Sequence, residues 1–304
     1  MQNSPIELGF QAQPDWAAAF VREEVEQLDR PFPHKVWFLT GTSRGFGRVW
    51  AEAALKRGDK VAATARDVGD LAHLVARYGD SVLPMELDVT DRARVFAAVQ
   101  KAHAHFGRLD VVVNNAGYGH FGFIEEISES EARAQLETNL FGALWVTQAA
   151  VPLLREQGSG HILQISGLSG VAAFAGLGIY HASKWALEGF SEALAQEVMP
   201  FGIKVTLIEP GSYGTEWGTT SAEHSAPNPA YEAFREARAM MTASYQPPDP
   251  DASTAAVFAV VDSDNPPLRL LLTSQAYAIA RAVYALREKT WSDWEATSLS
   301  GDGA

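Results

Sequence analysis

Between Lys35 and Pro210 the chain alternates short, almost wholly apolar runs with longer stretches of helical periodicity. This alternation constrains the fold more than any other feature. The runs are VWFLT at 36–40, KVAATA at 60–65, a strand within VLPMELDV at 82–89, LDVVVNNAG at 109–117 with its exit loop, HILQIS at 161–166 and IKVTLIEP at 203–210. Helices are expected at 46–57, near 68–77, at 91–106, at 128–157 with a bend at Gly142, and at 179–200. A strand reads as a continuous apolar run when helices cover both faces of its sheet, because neither side of the pleat then meets water. Repeated β-α-β units of this kind build a parallel, doubly wound sheet. The predicted fold class is α/β with a single main domain at 35–290, closed by a strand at 268–274 and a helix at 275–288.

Three segments depart from the rhythm. Residues 1–34 read as an appended arm, with an amphipathic helix in DWAAAFVREEVEQLD stopped by Pro31 and Pro33. Residues 212–250 are rich in Ser, Thr, Pro, Glu and aromatics. So long an interruption inside a compact domain is usually a lid or binding loop. A polar tail is expected at 291–304.

The first strand runs directly into T-G-T-S-R-G-F-G at 40–47, and a helix follows. Gly41, Gly45 and Gly47 let the backbone turn tightly and approach a pyrophosphate, while the helix N-terminus offers free N–H groups and a positive dipole end. Ser43, Arg44 and Phe46 lie between those glycines and are expected around the same ligand. The loop lacks the Lys-Ser/Thr of a nucleoside-triphosphate loop. The fold is therefore expected to be Rossmann-like and to hold a dinucleotide.

Tyr180 and Lys184 stand four apart in a predicted helix, which stacks them on one face. A phenol titrates near pH 10, so a neighbouring ammonium is expected to lower it. Such a pair can pass a proton to or from a carbonyl oxygen.

The loop spacing, Asp88 in LDVT, NNAG at 114–117, Asn139, Tyr180-His-Ala-Ser-Lys184 and Pro210-Gly211 before Thr215 occur in one order. In that order they resemble the short-chain dehydrogenase/reductase family, over about residues 35–290. The resemblance implies an NAD(P)(H)-dependent oxidoreductase. It places Asp88 and Val89 beside the adenine, Asn115, Ala116 and Gly117 along the ribose side, and Thr215 on the nicotinamide amide, after Pro210 and Gly211. It implies a water held by Asn139 beside Lys184. It also implies a Ser thirteen residues before Tyr180, where this chain has Gly167. Three readings stay open: Ser169 takes over, Tyr180 works without a partner, or the protein has left ordinary redox turnover.

Discrimination between the two nicotinamide cofactors lies at the end of the second strand. Ala65 stands where the family's NAD users carry an acid, and Arg66 follows; with Arg44, two guanidiniums favour a 2′-phosphate. NADP(H) is the expected cofactor, with Asp67 as the one contrary residue. Phe121, Gly167, Phe174, Tyr213 and Trp217 are expected to line a largely apolar pocket suited to a lipophilic ketone, aldehyde or secondary alcohol. The expected activity is interconversion of such a carbonyl and its alcohol. Gly167 keeps two alternatives in play: a non-redox reaction in the same pocket (cyclisation, dehydration or isomerisation) and an NADP(H)-binding regulatory protein.

Charge narrows the partners. With 24 Lys+Arg against 37 Asp+Glu, the net charge of -13 argues against nucleic acid or an anionic membrane. There is no cysteine, and the 8 His show no ligand spacing, so no metal site is expected. MQNSPIELGF carries no basic region followed by an apolar run, which makes a cytoplasmic location the expectation. The family resemblance implies that the helices at 128–157 and 179–200 pair copies into a homodimer or homotetramer.

Overall fold

The structure is a computed structural model that describes residues 34–302. The arm expected at 1–34 lies, apart from His34, outside the described residues. Seven parallel strands form the central sheet: β1 (Val36–Leu39), β2 (Lys60–Ala65), β3 (Val82–Glu86), β4 (Val111–Asn114), β6 (Gly160–Ile165), β7 (Ile203–Pro210) and β9 (Arg269–Leu272). Their spatial order is β3-β2-β1-β4-β6-β7-β9. The chain winds outward from β1 in one direction, then returns to β4 and winds the other way. A crevice consequently opens beyond the carboxyl ends of β1 and β4, the switch point where ligands bind in sheets of this type. The fold is the expected Rossmann-like one.

Each strand feeds two cores. Phe38, Ala62 and Val112 point to one face, where they meet Val95 and Val99 of α3 (Arg92–Phe106), Val146 and Leu154 of α5 (Gly142–Gln157) and Leu194 of α6 (Gly178–Val198). Trp37, Leu39, Ala63 and Val113 point to the other, against Trp50 and Leu55 of α1 (Gly45–Lys56) and Leu74 of α2 (Ala72–Tyr78). This double burial is the reason the strands show no polar alternation.

Several elements differ from the sequence expectation. The helix expected at 128–157 is interrupted before Gly142, where a π-turn at Glu137–Phe141 joins α4 (Glu129–Leu136) to α5. Gly142 serves packing instead, because a Cβ there would lie 2.6 Å from Val89 Cγ2. The lid is not irregular throughout: it holds a two-residue strand, β8 (Glu223–His224), and a helix, α7 (Glu232–Thr242). Strand β8 pairs in parallel with β5 (His120–Phe121), outside the main sheet. A further helix, α8 (Thr254–Asp262), was not read from the sequence and places Val257, Val260 and Val261 in the second core. The tail is helical rather than merely polar, since α9 runs Ser274–Asp293 and α10 runs Glu295–Leu299. Among the described residues, no helix is long and apolar enough to cross a membrane.

Candidate active site

The switch-point crevice is a cavity of about 1240 Å³, larger than one drug-sized ligand needs. At its floor the glycine loop leaves β1. Gly41 and Gly45 take φ of 70° and 54°, which side chains disfavour. Gly47 has a different task. A Cβ there would fall 2.2 Å from the Gly41 carbonyl oxygen, so Gly47 packs beneath the loop and does not line the cavity. Arg44 precedes α1 without capping it by its side chain, and no acidic residue occupies the first turn. The first N–H groups of α1 thus have no side-chain acceptor and suit a bound phosphate.

The Asn115 amide braces this loop. It donates to the carbonyls of Thr40 (2.8 Å) and Gly41 (3.0 Å), while the Thr40 hydroxyl accepts from the backbone N–H of Asn115 and Ala116 at 2.9 Å. Asn115 lines the cavity, but its side-chain amide is spent on the loop. Ser43, Arg44, Phe46, Ala65, Arg66, Asp88, Val89, Ala116, Gly117, Pro210, Gly211 and Thr215 also line the cavity. Arg44 and Arg66 form no ion pair among the described residues and are exposed. Asp67 does not oppose them from the ribose side, because its carboxylate accepts the Gly69 N–H at 2.8 Å and caps a 3₁₀ turn. Asp88 accepts from the backbone N–H and hydroxyl of Thr90.

Helix α6 carries Tyr180 and Lys184 into the same cavity, both almost fully buried. Lys184 Nζ donates to the Ile165 carbonyl at 2.7 Å, which ties the ammonium to the end of β6. Burial brings it down to about 8, and the charge of Glu188 opposes that shift. The expectation that the ammonium would lower the phenol does not hold in the protein alone. Burial pushes Tyr180 up to about 12, against a smaller opposite pull from the Ser169 hydroxyl. Loss of water around the phenol is the larger of these two effects, and the Lys184 ammonium sits 5.9 Å from the ring centre. A protonated phenol at neutral pH is equipped to donate.

Gly167 adopts φ 141°, a region that L side chains rarely enter. A Cβ at this position would lie 2.9 Å from Ser169 Oγ. The 3₁₀ turn at Leu168–Gly170 folds Ser169 back, so its hydroxyl occupies the space a residue-167 side chain would fill. Asn139 does not line the cavity; it sits buried in the π-turn behind it. Its amide donates to the Tyr118 carbonyl (3.0 Å) and Ser183 Oγ (3.1 Å), and its oxygen accepts the Tyr118 N–H at 3.1 Å.

Four of the five expected substrate residues line the cavity: Gly167, Phe174, Tyr213 and Trp217. Phe121 does not. It stacks on His224 with ring centres 5.0 Å apart and supports Trp217 at 5.6 Å, because the β5–β8 pairing turns it away. Trp217 sits 5.0 Å from the Tyr180 ring and rests on Gly119, where a Cβ would fall 2.5 Å from its Cζ2. Sequence reasoning missed the polar part of the wall: His120, Glu131, His181 and Arg238. His120 Nε2 and Ser225 Oγ are 2.8 Å apart, and Ser225 donates to Glu131 at 3.2 Å, which fastens the lid. His120, Glu131 and Arg238 lie in no motif. Only His181, beside Tyr180, had a position that could have drawn notice.

The sequence model of the family described as short chain dehydrogenase matches residues 35–226. Oxidoreductase BOA17 of Botryotinia fuckeliana is 42% identical over 271 residues, covering 88% of this chain and 98% of the relative. The crystal structure of a short-chain dehydrogenase from Streptomyces avermitilis has 41% identity and a TM-score of 0.83, over 88% of this chain and 99% of that one. An alcohol dehydrogenase from Thermococcus sibiricus, solved with 5-hydroxy-NADP, has 28% identity and a TM-score of 0.66, over 79% and 96%.

Proposed function

The chain belongs to the short chain dehydrogenase family of oxidoreductases, and from that premise we propose that it is an NADP(H)-dependent reductase of a small lipophilic ketone or aldehyde. The observation that carries the reading is the convergence of Tyr180, Lys184 and Ser169 on the cavity that the glycine loop opens into. Because the Ser169 hydroxyl fills the space beside Gly167, the absent Ser is a relocated hydroxyl. That favours redox turnover over the non-redox and regulatory readings.

The loop, the uncapped first turn of α1 and the braced Asn115 fit a dinucleotide pyrophosphate, and Arg44 and Arg66 fit a 2′-phosphate at the end of β2. NADPH held there would supply the hydride to the carbonyl carbon. Tyr180 gives its proton to the carbonyl oxygen, and Ser169 donates a hydrogen bond to the same atom. Lys184 then stabilises the phenolate, whose formation would otherwise be opposed by burial. Trp217 closes over Tyr180 and excludes water, while Phe174 and Tyr213 form apolar walls. Trp185, on the same long helix, is 42% exposed and supports pairing of copies into a homo-oligomer.

A carbonyl panel followed by NADPH absorbance, beside calorimetry with both cofactors, tests the proposal. Turnover with NADPH and tighter binding of NADPH than NADH are expected. Arg66→Asp should narrow that preference by about tenfold, the loss of roughly one charge-assisted contact. Equal or tighter NADH binding by the native protein would refute the cofactor choice.

A further inference from the structure

The relocated hydroxyl raises the question of what holds it. Ser169 lies at the start of the loop 169–177, SGVAAFAGL. The 3₁₀ turn at Leu168–Gly170 and the buried Val171 and Ala172 anchor one side of this loop. The residue that spans this loop is His181, one position after Tyr180 on α6 and 4% exposed. Its Nδ1 is 2.9 Å from the Ser169 carbonyl oxygen, and its Nε2 is 2.9 Å from the Phe174 backbone nitrogen. A carbonyl can only accept and a backbone N–H can only donate. Those partners select one form of the ring: neutral, with the proton on Nδ1.

We infer that His181 is a positioning residue, whose neutral Nδ1–H form pins both ends of the Ser169–Phe174 loop and so holds the Ser169 hydroxyl beside the Tyr180 phenol. The inference rests on the function proposed for Ser169 above. It also explains how Gly167 is tolerated: the hydroxyl donor moves two residues along, and a ring on the catalytic helix fixes it there. Phe174, a wall of the substrate space, is held by the same ring, packing on it with centres 5.6 Å apart.

Protonation would undo the clamp. A charged imidazole has N–H on both nitrogens and cannot accept from Phe174. The groups facing His181 are Tyr180 on α6, Arg238 from α7, and Ser169 and Phe174 on the loop. Burial holds the ring below its ordinary value, the Arg238 charge acts in the same sense, and the Ser169 contact acts against them. The clamp is therefore intact at neutral pH and opens only in acid.

The test is a double-mutant cycle on kcat, with NADPH affinity as control. His181→Phe keeps an aromatic ring and removes both contacts; it should approach the Ser169→Ala loss, about 10²-fold. In the Ser169→Ala background the same change should cost almost nothing more. His181→Asn can retain the donor to Ser169 and should keep a larger share of the rate. Nitrogen NMR of the native protein should show a neutral ring protonated at Nδ1. The acid limb of kcat should disappear in His181→Asn. Losses that multiply in the double variant, or an Nε2-protonated ring, overturn the inference. So does a native rate in His181→Phe beside a slow Ser169→Ala. A native rate in Ser169→Ala sinks the hydroxyl assignment itself, which is a separate failure. Should His181→Phe not fold, the Asn variant and the NMR reading still decide.

Discussion

The nucleotide side and the lid of this cavity are built by different means. On the nucleotide side, position follows from the backbone: the loop leaves a strand in parallel register with its neighbours, and Asn115 ties it to the start of the next crossover. The lid is attached by the two-residue β5–β8 pairing and, for the rest, by side chains that come from distant parts of the chain. Ser225 reaches His120 and Glu131, Asn228 bonds Glu126 and Glu125, Arg235 pairs with Glu126, and Tyr231 stacks on Phe123 at 4.0 Å. Helix α7 buries none of its own residues. Regions with few buried apolar contacts open at low cost, and ligand-binding lids are drawn from them. A rigid cofactor cradle thus faces an adjustable substrate cover, with Tyr180 at the seam.

The largest effect should come from the seam. Tyr180→Phe removes the proton donor and keeps the ring against Trp217, so turnover should fall about 10²- to 10⁴-fold. NADPH affinity should stay near native by calorimetry. A variant retaining most of the native rate would show that the phenol is not the donor.

Gly47→Ala attacks the rigid side alone. The added methyl meets the Gly41 carbonyl at 2.2 Å, and overpacking of this kind costs roughly 1–3 kcal/mol. Cofactor affinity and Tm should both drop. The comparison breaks if the variant binds NADPH as the native protein does.

Gly167→Ser would restore the family's residue, yet it should lower the rate by about tenfold. The backbone there is at φ 141°, and the new side chain displaces Ser169 Oγ. Enhanced turnover would mean that the loop relaxes and that Ser169 holds no essential place.

The smallest effect is expected on the cover. Ser225→Ala removes hydroxyl contacts worth about 0.5–1.5 kcal/mol each. It should raise the substrate KM a few-fold, with kcat and NADPH affinity unchanged. Equal losses in cofactor and substrate binding would argue that lid and cradle are one rigid body.

What could be read from the sequence alone was whatever depends on local order. The strands, the glycine loop and the four-residue step from Tyr180 to Lys184 each follow from periodicity or a motif. The seven strands of the main sheet lie within about three residues of their expected positions because neighbours along the chain create them, whereas the β5–β8 pair was not read. The tertiary structure decided the rest. It turned Phe121 away through pairing with β8, used the Asn115 and Asn139 amides as braces, and put Ser169 where Gly167 leaves room. It also reversed the expected shift of the Tyr180 phenol, because burial depends on everything packed around a group and not on its neighbour in the helix. Apart from Ser169 and Gly167, which are two residues apart, such contacts join residues about twenty to a hundred positions apart, and no spacing within one segment encodes them.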